Sequence, residues 1–144
     1  MPVDLSSATV TVNAPLADVL TVVRDVESYP EWLPGFRAAA VLKKNPDGTP
    51  ATARFTVEFA IGKDTYDVAY EHHATDATWT LVKPTSLQKS QRGIQRLEAQ
   101  GDSTLVTMEL EIDHNVPAPG FIRRRIFASF VDNAARGLKG YVEA

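Results

Sequence analysis

The segment 117–142 reads PAPGFIRRRIFASFVDNAARGLKGYV, and its reading decides the fold. No proline follows Pro119, so Phe121 to Val142 can run as one uninterrupted helix. At 100° per residue, Ile122, Ile126, Phe127, Phe130, Ala134, Leu138 and Tyr141 fall within an arc of roughly 160°. Arg125, Asp132, Arg136 and Lys139 take the opposite side. A helix this long with one broad apolar face must lie on a large apolar surface, and the preceding eighty residues supply it.

Between Gly35 and His114 the chain has the punctuation of an antiparallel meander. Asn45-Pro46-Asp47-Gly48, Ile61-Gly62-Lys63-Asp64 and Gly101-Asp102-Ser103 are turn sequences of residues that tolerate positive φ. Between the turns the period is two. Ala53, Phe55, Val57 and Phe59 alternate with Thr52, Arg54, Thr56 and Glu58. Tyr66, Val68 and Tyr70 alternate with Thr65, Asp67 and Glu71, and Val106, Met108, Leu110 and Ile112 with Thr107, Glu109, Glu111 and Asp113. One apolar and one polar face per strand describes a sheet covered on one side. Upstream, Leu5 to Asn13 is a strand rich in β-branched residues. Asn13-Ala14-Pro15 then reads as cap and first turn of a short helix carrying Val19, Leu20, Val22, Val23 and Val26, and Ser28 to Pro34 as a second short helix bracketed by prolines. The expectation is a curved antiparallel sheet gripping the long C-terminal helix, as one domain over 1–144.

Composition narrows the function. The 144 residues contain no cysteine, which removes disulfides, thiol nucleophiles and Cys-type metal sites. Fifteen Lys+Arg against 18 Asp+Glu give a net charge of -3, so nucleic acid is not an expected partner. Five cations against two carboxylates lie in 117–144, a basic segment on an acidic body. The start, MPVDLSSATV, lacks the basic and apolar regions of a signal peptide, and no apolar run could span a bilayer, so the expected location is the cytoplasm. G-x-G-x-x-G, G-x-x-x-x-G-K-[ST], G-x-S-x-G and H-E-x-x-H are all missing from the sequence. No cofactor and no metal are expected.

Asp25-Val26-Glu27-Ser28-Tyr29-Pro30-Glu31-Trp32-Leu33-Pro34 followed by Phe36 to Lys43 resembles the second-helix signature of START-like, Bet v 1-type (SRPBCC) proteins, nearest the bacterial polyketide cyclase/dehydrase and coenzyme-Q-binding branch. Gly93 to Leu110 is similar to that family's last two strands, and Pro117 to Phe121 to the opening of its final helix. The resemblance covers almost the whole chain. It implies an α+β helix-grip, a curved antiparallel sheet of about seven strands, β-α-α-β(6)-α, wrapped around the C-terminal helix, with a deep apolar cavity between them. The small residues Ala128, Ala134 and Gly137 of that helix can leave room on its side. Without the resemblance, the inward aromatic side chains could equally fill a packed core. The residues expected to line the cavity are Trp32, Phe36, Phe55, Val57, Phe59, Tyr66, Val68, Tyr70, His72, Trp79, Leu81, Gln91, Gln95, Met108, Leu110, Ile126, Phe130 and Ala134.

Polar groups on that face are the informative ones, because a buried polar atom needs a partner or a ligand. Gln91, Gly93 and Gln95 share the register of Leu97. His72 continues that of Val68 and Tyr70 while His73 points away, so the two cannot share a metal; His114 would sit at the end of the cavity. Arg123 lies in the middle of the apolar arc, so it either reaches solvent past the sheet or guards the mouth. In aromatase/cyclase members of the family a tyrosine follows the second helix and an arginine ends the fourth strand; this chain has Phe36 and His72 there. Three readings follow. The first is a protein, monomer or weak dimer, that binds a hydrophobic small molecule such as a lipid, a quinone or a polyketide-like aromatic. The second is a cyclase or dehydratase using His72, Tyr70, Gln95 and Arg123 as candidate catalytic groups. The third is a ribosome- or protein-interaction module resting on the basic terminal helix.

Overall fold

A computed structural model describes residues 3–59 and 62–144. In chain order these form β1 (Val3–Val12), α1 (Leu16–Arg24), a 3-10 turn (Val26–Ser28), α2 (Tyr29–Trp32), β2 (Phe36–Lys44), β3 (Pro50–Phe59), β4 (Gly62–His72), β5 (Asp76–Leu81), β6 (Gln88–Gln100), β7 (Ser103–His114) and α3 (Gly120–Glu143). The seven strands make one antiparallel sheet in the order β1-β7-β6-β5-β4-β3-β2. It is the helix-grip arrangement that the family resemblance implied. On β7, Thr104, Val106, Met108, Leu110, Ile112 and His114 are buried while their neighbours are half-exposed.

Gly48 (φ 90°) and Gly101 (φ 63°) supply the positive φ that two of the three expected turns require. Of the third expected turn, Ile61 lies outside the described residues. Gly62, Lys63 and Asp64 already belong to β4, where Asp64 pairs with Val57.

The expected Asn13 cap does not form. Pro15 occupies the N-cap position of α1 with no side-chain cap, and its carbonyl accepts from Asp18 and Val19 N–H at 3.0 and 3.2 Å. Asn13 is used elsewhere: its N–H donates to Glu143 Oε2 at 2.7 Å and its Oδ1 accepts from Ser103 Oγ at 3.3 Å. The start of α1 is thereby tied to the end of α3.

α3 is turned relative to the expected arc. Phe127, Val131, Ala134, Ala135 and Leu138 are buried, a stripe centred near Leu138 and rotated by roughly 80° from the arc's midpoint at 100° per residue. Ile122 and Tyr141, inside the expected arc, are exposed, and Ala128 faces solvent. Gly137 leaves no void either. A Cβ there would stand 2.2 Å from the Trp32 carbonyl oxygen, so the glycine lets α3 touch the backbone of α2.

Candidate ligand cavity

Between the inner face of the sheet and the N-terminal half of α3 lies a cavity of about 660 Å³. That is ordinary for a small-molecule site, with room for roughly 20 waters' worth of liquid volume. Aromatic rings set its frame. Phe36 and Phe130 stack at 6.3 Å, Phe59 meets Phe130 edge-on at 5.4 Å, and Phe55 lies parallel to Tyr29 at 5.7 Å. Phe130 is thus propped above β2 and β3, which holds this part of the helix off the sheet. The rim carries exposed Pro34, Arg37, Glu58, Ile122, Arg125 and Ser129.

Of the side chains expected to face the cavity, Phe36, Phe55, Val57, Phe59, Tyr66, Tyr70, Trp79, Gln91, Gln95, Met108, Leu110, Ile126, Phe130 and Ala134 line it. Four do not. Trp32 is packed among core residues, its Nε1–H donating to Ser28 Oγ at 3.1 Å. Val68 is wholly buried in the core, and its cross-strand partner Leu81 packs against that core. His72 sits behind Tyr70 and Gln95, which separate it from the cavity, in a void of about 10 Å³ shared with Arg24 and Asp76. Its Nε2 meets Pro50 O at 2.7 Å, its ring stacks on Tyr70, and burial lowers its pKa. The register argument was correct for its backbone, but β4 runs past the end of the cavity before reaching it.

Arg123 takes neither expected course. It folds back so that Nη1 donates to Ala118 O at 2.6 Å, and Nε lies 3.9 Å from Asp4 Oδ2. On α3 it is Arg125, two residues on, that stands at the rim. His114 lines the end of the cavity, but both ring nitrogens are engaged. Nδ1 accepts from Val116 N–H at 3.2 Å, which assigns the proton to Nε2, donated to Asp4 Oδ2 at 2.6 Å.

Other wall residues lie outside the expected set, and three of them, Tyr29, Asp64 and Gln88, bear on the cavity's polar groups. Tyr29 enters from α2. Asp64 had a signal, since it shares the even register of Tyr66 and Tyr70. Gln88 had none: a register shift between Gln88 and Ser90 turns an even position of β6 to the same side as odd Gln91. Gln88 and Asp64 complete a polar chain. Trp79 Nε1–H donates to Gln91 Oε1 (2.9 Å), Gln91 Nε2 to Gln88 Oε1 (2.8 Å), and Gln88 Nε2 to Asp64 Oδ2 (3.0 Å), which also accepts from Thr85 Oγ1 (2.9 Å). The carboxylate fixes the direction of every amide in the chain. Deeper in, the Tyr29 hydroxyl donates to Val23 O at 2.6 Å, with Gln95 and Tyr70 against its oxygen. Burial pushes the Tyr29 phenol up to about 12 and raises Tyr66 and Tyr70 as well, so all three stay protonated at neutral pH.

The family model for polyketide cyclase/dehydrase and lipid transport proteins matches residues 12–139, and the chain belongs to that family. Among solved structures it is similar to a START superfamily protein from Mycobacterium smegmatis, at 26% identity over 96% of this chain and 97% of that one, with a TM-score of 0.87. It shares its fold with the Zhui aromatase/cyclase from Streptomyces sp. R1128 (17% identity, 99% and 94% covered, TM-score 0.79). The same holds for a STAR-related lipid transfer protein fragment from Xanthomonas axonopodis (16% identity, 96% and 85% covered, TM-score 0.76). No curated protein matches the sequence. Among the described residues no helix is long and apolar enough to cross a membrane.

Proposed function

We propose that the protein binds a hydrophobic small molecule of the lipid, quinone or polyketide-like aromatic kind between its sheet and the N-terminal half of α3. The observation that carries this reading is a cavity of about 660 Å³ walled mainly by aromatic and aliphatic side chains, with a few hydrogen-bonding groups among them and Arg37, Glu58 and Arg125 at the rim. The alternative, a cyclase or dehydratase, draws on the family and on Tyr70 and Gln95 in the wall. It has less support from the residues. The cavity tyrosines hold their protons too tightly to serve as bases, His114 has both nitrogens engaged, and His72 and Arg123 are outside the wall.

The test uses N-phenyl-1-naphthylamine, a neutral fluorescent apolar probe. Saturable binding of one equivalent is expected. Met108→Trp, which puts an indole into the void, is expected to weaken binding about tenfold or more with the circular dichroism spectrum retained. His72→Gln is expected to leave binding unchanged. A folded wild-type protein that takes up no probe would overturn the reading. Native mass spectrometry of protein purified from its own host then weighs whatever co-purifies.

A further inference from the structure

Two glutamines on one strand face the cavity in the same register, and they differ in one respect. Gln91 is satisfied: its Oε1 is met by the Trp79 indole N–H and its Nε2 by Gln88, in a chain anchored on Asp64. Gln95, four residues on and only 7% exposed, has no such chain. Its polar neighbour is the oxygen of Tyr29, whose own proton is committed to Val23 O. That oxygen can accept from Gln95 Nε2 or from the Tyr70 hydroxyl, but it can donate to neither. Gln95 lines the cavity, its carboxamide enters no hydrogen-bonded chain of the kind that holds Gln91, and at least one N–H or O–H remains to spare. A cavity-facing carboxamide in that condition has donor and acceptor capacity that a ligand can take up.

The charges of the wall add a second constraint. Arg37 and Arg125 are its only lysine or arginine side chains among the described residues, and both stand exposed at the rim. Arg37 is already 3.4 Å from Glu58. Away from the rim the wall offers amides, phenols, the Trp79 indole, the engaged His114 imidazole and the Asp64 carboxylate, so an anion carried there would be desolvated without a counter-charge.

We propose that Gln95, with Tyr70 beside it and Tyr29 behind, is the hydrogen-bonding station for the polar group of the ligand, and that this ligand is uncharged and enters with its hydroxyl or carbonyl oxygen leading. This rests on the cavity being a binding site. Gln95 Oε1 accepts from a ligand hydroxyl, while Gln95 Nε2 or the Tyr70 hydroxyl donates to a ligand oxygen. Uncharged alcohols, phenols, ketones and quinones fit this station. Free fatty acids and other anions do not, because their charge would have to stay at the rim near Arg125 and leave the inner end filled by hydrocarbon.

The experiment displaces N-phenyl-1-naphthylamine with three chains of equal length: 1-dodecanol, 1-chlorododecane and dodecanoate. Wild-type protein is expected to bind the alcohol about fivefold more tightly than the chloride, the worth of one net hydrogen bond, and about tenfold more tightly than the carboxylate. In Gln95→Leu the preference for alcohol over chloride is expected to vanish. Tyr70→Phe, which keeps the ring, is expected to reduce it and carries the test if the leucine variant does not fold. An alcohol-to-chloride ratio unchanged in both variants, or dodecanoate binding as tightly as dodecanol, overturns the station while probe binding still upholds the cavity. Failure of the probe to bind at all removes the cavity reading itself.

Discussion

The two halves of α3 obey different rules. In the C-terminal half the helix is pressed home. Leu138 has no exposure, Gly137 sits against the Trp32 carbonyl, and Lys139 Nζ donates to Thr11 O at 2.8 Å. Glu143 accepts from Asn13 N–H, which holds its carboxyl below the usual range. In the N-terminal half Phe127 packs on His114 and Ile112 of β7 while Phe130 spans toward β2 and β3 over the cavity, and Arg123 is folded onto the Ala118 carbonyl beside Asp4. One helix is thus seated at one end and propped at the other, and the hollow is the space between. Cavity size here is set by where the helix is held rather than by a shortage of large side chains.

The widest test of this contrast truncates one residue in each half. Leu138→Ala is expected to cost about 3–5 kcal/mol in chemical denaturation, because a filled site becomes a void. Phe130→Ala, whose ring already borders empty space, is expected to cost less than about 2 kcal/mol while weakening probe binding. Equal losses would mean that the two halves are packed alike.

A smaller effect separates two glycines of the seated half. Gly137→Ala must push α3 off the Trp32 backbone and is expected to cost about 1–3 kcal/mol. At Gly140 a Cβ would meet nothing within 4 Å, so Gly140→Ala is expected to gain about 0.5–1 kcal/mol from helix propensity. Thermal unfolding of the pair reads the difference directly.

The smallest expected effect concerns His72, on the far side of the cavity wall. Burial lowers its pKa in the folded protein, with Arg24 and His73 acting in the same direction and Pro50 O and Asp47 against. The unfolded chain therefore takes up the proton first as pH falls. This contribution to stability is complete above the ordinary histidine pKa of about 6.5 and is lost as pH drops below it toward the lower folded value. The melting temperature is expected to fall between pH 7 and pH 5, and His72→Gln is expected to flatten part of that slope. Identical slopes would place no buried neutral imidazole at this position.

Much of this architecture could be read in advance, and the exceptions are instructive. The alternation of Phe55, Val57 and Phe59 with Arg54, Thr56 and Glu58 assigned the inner face of β3 correctly, because side-chain direction in a strand depends only on parity. Parity failed at Gln88, where the register shift in β6 reverses it. It was insufficient at His72, whose strand outruns the cavity. The helical wheel named an apolar arc but not how that arc is turned, so Arg123 was expected at its centre and is found against Asp4 instead. Ala128 and Gly137 were read as room for a ligand; the first faces solvent and the second is a close contact.

What the chain's order of residues determined by itself is everything with a local period: the alternating faces of β3, β4 and β7, the turns at Gly48 and Gly101, the long terminal helix, and the shared direction of Gln91 and Gln95. What tertiary structure alone decided is the rotation of α3, the height at which Phe130 holds it, and which of the two glutamines is tied into a hydrogen-bonded chain. These depend on groups far apart in the chain, Trp32 under Gly137, Asp4 beside Arg123 and Asp64 at the end of the Gln91 chain. Contacts of that kind follow from how the elements settle against one another, which no repeat along a single segment records.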